Sequence, residues 1–271
     1  MRTCLLCLLA ATACGPSSRG AHVDGSTTDT NSTGDAAPTV DAPPLATGPV
    51  HVVITADNAY SFGYGDAASI THFTQGTRAQ TAGQIFNCPI GEGPEVYTIP
   101  EADAPAGAYL YIVTWDDLSV TQGVLGTFSR DTGTLHTGDS RFEVCATGLD
   151  YSSGPDALVG PPLATINAEI ARCNAGTGAT ATTSTGWVNT AGAVTPNALG
   201  KLAVGEDNSA GTGTFPITCQ PTATTDGIPS AAKWMWYDPN DGAAGDAFHS
   251  TGANRFKAFL IFRLGVGDII F

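Results

Sequence analysis

Charge is scarce in this chain. Asp, Glu, Lys and Arg make up 13% of 271 residues, with only 11 basic residues against 25 acidic ones. At a formal net charge of −14 the surface repels polyanions, which excludes nucleic acid and anionic headgroups as partners held by charge. Long apolar runs are also missing. The stretch Leu5 to Leu9 is far short of the roughly 20 residues a helix needs to cross a bilayer. Enzyme signatures are absent too: there is no G-x-S-x-G elbow, no H-E-x-x-H pair and no phosphate-cradling glycine loop leading into a helix. His51, His72, His136 and His249 stand singly beside Thr, Ser or a strand start, a setting typical of exposed side chains. Trp115-Asp116-Asp117 puts two carboxylates side by side, but neighbours on a strand face opposite ways. They cannot form the pair that flanks a glycosidic bond, and a secreted hydrolase is the third of three functional readings.

The N-terminus carries the most informative feature that is present. Arg2, an apolar segment from Cys4 to Ala10, and Ala11-Thr12-Ala13-Cys14 follow the order of a bacterial lipoprotein signal: basic region, short apolar region, small residues, then a cysteine. Residues 1–13 are expected to be removed and Cys14 to carry palmitate and the rest of a lipid anchor. This would place the chain in the cell envelope, with the lipid bilayer as partner and the outer membrane as the expected site. Ala11-Thr12-Ala13 also satisfies the rule of the general signal peptidase, so ordinary secretion is the alternative. Residues 14–48 are rich in Ser, Thr, Gly, Asp and Pro with almost no large apolar side chain. Such a segment cannot bury enough surface to offset its ordering entropy. It reads as a tether, reaching several nanometres at about 5–6 Å times the square root of its length.

Seven cysteines become four once Cys4, Cys7 and the lipid-bearing Cys14 are set aside. Cys88, Cys145, Cys173 and Cys219 are an even set in an oxidising compartment, and two disulfides are expected. Three connectivities are open. Proximity along the chain favours Cys88 with Cys145 and Cys173 with Cys219. The four form no C-x-x-C and have no His at ligand spacing, which disfavours a metal site.

From Pro49 the chain reads as one β domain, residues 49–271. Short runs rich in β-branched and aromatic residues, bounded by Gly, Pro, Asn and Asp, predict strands at 51–56, 95–99, 108–115, 120–128, 142–146, 187–194, 233–237 and 255–264. Many short strands predict a sandwich or barrel. One short helix is expected at Leu163–Arg172, because Leu163, Ile166 and Ile170 fall on one helical face after Pro161-Pro162.

Two groups of residues are candidate binding positions. Trp234 and Trp236 share one face of a strand, and Met235 and Tyr237 share the other. Aligned aromatic rings can stack on a sugar chain or fill the core, and Tyr237 or Trp115 can equally serve as an exposed platform. Next in the chain, Asp238, Asn240, Asp241 and Asp246 offer oxygen ligands in a glycine-broken loop, so calcium is the one cofactor the sequence suggests. The same Pro-Asn-Asp-Gly run also satisfies a plain turn.

The order of Thr55-Ala-Asp-Asn-Ala-Tyr60, Tyr109 to Thr114, Gly123-Val-Leu-Gly126, Trp187, Ala232-Lys-Trp-Met-Trp-Tyr237 and Phe259-Leu-Ile-Phe-Arg263 resembles extracellular galactose-binding-like β-sandwich domains. Such domains begin with an A-D-N-x-Y strand and place an A-K-W-I-W strand before a final Phe/Arg strand. The likeness spans most of residues 50–264. It departs at Ser61-Phe-Gly-Tyr-Gly-Asp66, where those domains carry a Y-V-N-G hairpin. The resemblance implies a jelly-roll sandwich and a binding role, often for carbohydrate. A glycan-binding module on an envelope lipoprotein is the first functional reading, and a structural or protein-interaction component of the envelope is the alternative.

Overall fold

A computed structural model describes residues 47–271 except 58, 77, 80, 82–84, 87–93, 116–120, 132, 153–155, 177–185, 194–198, 210–214, 216–226, 240–245, 250–257 and 271. The chain is mainly β: two antiparallel sheets form a β-sandwich with a helix on one outer face. The first sheet runs β10 (Lys201–Asp207), β11 (Lys233–Asp238), β6 (Gly123–Arg130), β1 (Val50–Asp57) and β4 (Glu95–Ile99), and β7 (Gly133–His136) also pairs with β6. The second runs β3 (Ile70–Thr74), β2 (Ala59–Gly65), β5 (Tyr109–Trp115), β12 (Ala258–Gly265), β8 (Glu143–Asp150) and β9 (Trp187–Val188). A single helical turn, α1 (Asp156–Val159), precedes the helix α2 (Leu163–Ala175). Among the described residues no helix is long and apolar enough to cross a membrane.

Alternation along the strands sorts side chains between two cores. On β5, Leu110 and Ile112 enter the layer between the sheets, whereas Tyr111, Val113 and Trp115 enter a second cluster. Phe259 and Ile261 of β12 join that second cluster, which is closed by Ile166 and Ile170 of α2. This double burial explains why β5 and β12 are apolar on both faces. The helix forms where the spacing of Leu163, Ile166 and Ile170 predicts it. Its buried stripe continues one step further, to Cys173.

Trp115 belongs to this second core and is fully buried. Gly160 approaches its indole: a Cβ built there would lie 2.3 Å from the ring, and the backbone has φ +75°. Both facts require glycine. Gly160→Val should therefore lower stability by about 1–3 kcal/mol through strain and overpacking. The check is the urea midpoint; an unchanged midpoint would show that Gly160 is not held against Trp115.

Trp187 reads as an isolated residue in the sequence, and the fold supplies its partners. The Arg263 guanidinium lies 3.8 Å from the Trp187 ring centre and 5.1 Å from that of Tyr109. Arg263 Nε donates to Glu143 Oε2 at 2.7 Å, and Arg263 Nη1 and Trp187 Nε1 both donate to Asn174 Oδ1. A planar cation between two rings and a carboxylate suits arginine and not lysine. The cluster ties β9 and the end of α2 to β12.

Four strands, β2, β3, β7 and β10, occupy stretches with no predicted strand. Of the described residues in the run predicted at 187–194, only the two of β9 are strand. Where both ends are described the boundaries move by a few residues, for example 142–146 to Glu143–Asp150.

Candidate functional site

The four aromatic residues expected as a binding platform are all interior. Trp115, Trp234 and Trp236 are at most 1% exposed and Tyr237 is 3% exposed. Trp234 stacks on Phe215 at 4.1 Å between ring centres and meets Phe86 edge-on at 5.9 Å. Trp236 lies 6.2 Å from Phe262 of the opposite sheet. Tyr237 donates its hydroxyl to the Leu199 carbonyl at 2.7 Å. Strand β11 lies between β10 and β6 and is covered on both sides, and Trp115 is enclosed in the second core, so none of these rings is available to lie flat on a sugar. Their separation onto two faces is as expected, but both faces are buried.

The acidic loop is only partly placed. Asn240 and Asp241 lie outside the described residues, as do Asp116 and Asp117. Asp238 faces Lys201 Nζ at 4.0 Å. Asp246 accepts from the Phe248 amide at 3.0 Å and meets His249 Nδ1 at 2.6 Å. These contacts make Asp246 a turn-forming residue. Among the described residues no group of three or more His, Cys, Asp or Glu is arranged to hold a metal ion.

The favoured cysteine pairing is corrected. Cys145 is bonded to Cys173, with 6.1 Å between Cα atoms. The pairing of Cys88 with Cys145 and of Cys173 with Cys219 is thereby excluded, because both partners are taken. The reason is helical periodicity: Cys173 continues the stripe Ile166, Ile170 that α2 buries on the second sheet, and Cys145 lies on β8 of that sheet. Cys14, Cys88 and Cys219 lie outside the described residues.

A cleft opens at one lateral margin of the sandwich, where β3 ends the second sheet and β4 ends the first among the described strands. Its volume is about 570 Å³. Phe62 and Tyr64 of β2 approach it from one sheet, and Tyr97 and Ile99 of β4 from the other. Phe62 and Tyr97 meet across the gap at 4.5 Å between centroids. Nearer the rim, Tyr64 and the exposed His72 of β3 stack at 4.5 Å and 11°. Thr71 and Thr74 of β3 also border it, whereas the Thr98 hydroxyl lies on the exposed face of β4, 3.2 Å from His51 Nδ1.

The local sequence explains this construction. Tyr60, Phe62 and Tyr64 recur at every second residue, and all pack on or into the intersheet core. Between them Gly63 lets β3 lie close, since a Cβ there would be 2.6 Å from the Ile70 side chain and 2.8 Å from the His72 carbonyl. Behind Tyr97, the Tyr60 hydroxyl is 2.7 Å from Glu95 Oε2, to which it donates, and 2.9 Å from the Tyr97 hydroxyl. Burial raises the Glu95 carboxyl above the ordinary carboxylate value, an effect opposed by its bond from Tyr60. Burial, reinforced by the neighbouring Tyr97 and Glu95, pushes the Tyr60 phenol well up. Partial burial and then the charge of Asp103 raise Tyr64.

None of the cleft residues was singled out in the sequence as a ligand position. The period-two aromatics from Tyr60 to Tyr64 were a usable strand signal, masked by the alternating glycines. That β2 and β3 would open onto β4, some twenty residues further on, was not readable locally.

Comparison with protein-family models, curated proteins and solved structures returns no match for this chain.

Proposed function

We propose that this chain is an envelope lipoprotein, anchored through Cys14, whose β-sandwich serves as a carbohydrate-binding module, with the lateral cleft as its ligand site. The reading includes a jelly-roll, galactose-binding-like architecture, in keeping with the ordered motifs of the sequence. The observation that carries it is the cleft itself: paired aromatic planes and threonine hydroxyls around about 570 Å³. Sugars present apolar C–H faces and a rim of hydroxyls, and aromatic rings with a few polar groups match both. Calcium is not required by this arrangement.

The experiment is a glycan-array screen of the domain with and without calcium, followed by calorimetry on any hit. Tyr64→Ala should weaken binding about tenfold, equivalent to ~1.4 kcal/mol, and should leave the fold intact because Tyr64 is only partly buried. Binding unchanged in Tyr64→Ala and in Tyr97→Ala would end the assignment to this cleft.

The same margin favours a second reading. Strand β4 ends its sheet among the described residues and exposes Val96 to 46%, and a sheet margin can accept a strand from a partner protein. Crosslinking from position 96 that recovers one envelope protein, together with an empty array, would favour the interaction role.

A further inference from the structure

We propose that the lateral cleft discriminates by charge, accepting neutral sugars and rejecting anionic ones such as uronates, with Glu95 and Asp103 setting the sign. This rests on the carbohydrate reading of the same cleft and adds the substrate class to it. Three observations carry it. No Lys or Arg is among the described residues that line the cleft, so nothing there forms the bidentate bond by which a sugar carboxylate is normally recognised. Arg78, held beside β2 by its bridge to Ala59, is not among the lining residues either.

Among the described residues, one carboxylate sits directly behind the lining and another follows β4. Glu95 is one hydrogen bond from Tyr60, which contacts the lining Tyr97. Asp103 lies in the turn Glu101–Asp103 that follows β4, the strand whose Tyr97 and Ile99 line the cleft. The polar side chains of the described lining are those of Tyr64, Tyr97, His72 and the threonines, which suit an uncharged hydroxyl-bearing ligand. The chain as a whole, at −14, adds a repulsive field toward any anion.

The test compares a neutral oligosaccharide hit with its uronate-containing counterpart by calorimetry at one fixed pH. The neutral sugar should bind at least roughly tenfold more tightly. Raising the salt to about 1 M, where the screening length falls to ~3 Å, should narrow the gap. Glu95→Gln, which keeps an acceptor for Tyr60, and the surface change Asp103→Asn should each narrow it at low salt. If Glu95→Gln does not fold, Asp103→Asn and the salt series decide. Equal or tighter binding of the uronate by the unmodified protein overturns the charge selection and leaves the carbohydrate site standing. Binding of neither sugar by a folded protein overturns the carbohydrate reading, and the selection with it.

Discussion

Trp234→Ala should destabilise the sandwich by about 3–5 kcal/mol, the range for removing a large aromatic ring from a packed interior. The ring is completely buried. It is also the point where two distant segments meet, since Phe86 and Phe215 both pack on it. Collapse of the site is hindered because Phe215 is also fixed edge-on by Phe248 at 6.0 Å. The surroundings therefore cannot close over the lost indole, and the cavity contribution adds to the lost burial. For a domain of this size the loss corresponds to a fall in melting temperature of roughly 6–20 °C. Urea denaturation should show a lower midpoint at an unchanged slope. Any loss of the proposed glycan retention should scale with the unfolded fraction. A Trp234→Ala protein of normal stability that had lost only retention would restore Trp234 to a ligand role and remove it from the core.

The second large effect concerns the bridge between Cys145 and Cys173. Replacing both cysteines by alanine should cost about 3–4 kcal/mol, the chain-entropy range for a closed loop of 28 residues. Replacing both together matters, because a single change would leave a reactive partner thiol. The loss should appear as easier unfolding while the sandwich is retained at low temperature, since Ile166 and Ile170 still bury against the second sheet. Non-reducing peptide mapping gives the complementary result. With Cys145 and Cys173 joined, the oxidising compartment proposed for this chain leaves Cys88 and Cys219 only each other. Phe86 and Phe215 meet at Trp234 within a few residues of each. The map should show a peptide linking Cys145 to Cys173 and another linking Cys88 to Cys219. A peptide joining Cys88 to Cys145 would contradict the fold around α2.

Both expectations mark where local reading reached its limit. The helix was legible because its stripe of Leu163, Ile166 and Ile170 is periodic at 3.6 residues. Cys173 sits on the same stripe, and extending the stripe by three residues would have aimed it at the sheet. Proximity along the chain was the wrong guide, because a strand and a helix packed on it become neighbours in space at any sequence separation. For Trp234 and Trp236 the alternation was legible, but alternation says only that two residues share a face. Whether that face meets solvent depends on what covers it, and Phe86, Phe215 and Phe262 come from three separate parts of the chain.

The cleft was the least legible feature. Its aromatic residues lie on β2, which glycines disguised, and on β4, whose mixture of Glu, Val, Tyr, Thr and Ile carries no binding signature. Only the register of Tyr64 with His72 and the approach of Phe62 to Tyr97 bring them together.

Composition and local pattern thus determined the β class, the short helix and the excess of acidic over basic residues, because these follow from side-chain chemistry and short-range periodicity. The tertiary structure decided which aromatics are core, which cysteines bond across β8 and α2, and where the sandwich opens. Those outcomes depend on pairing and packing between segments far apart in sequence, and no local pattern encodes them.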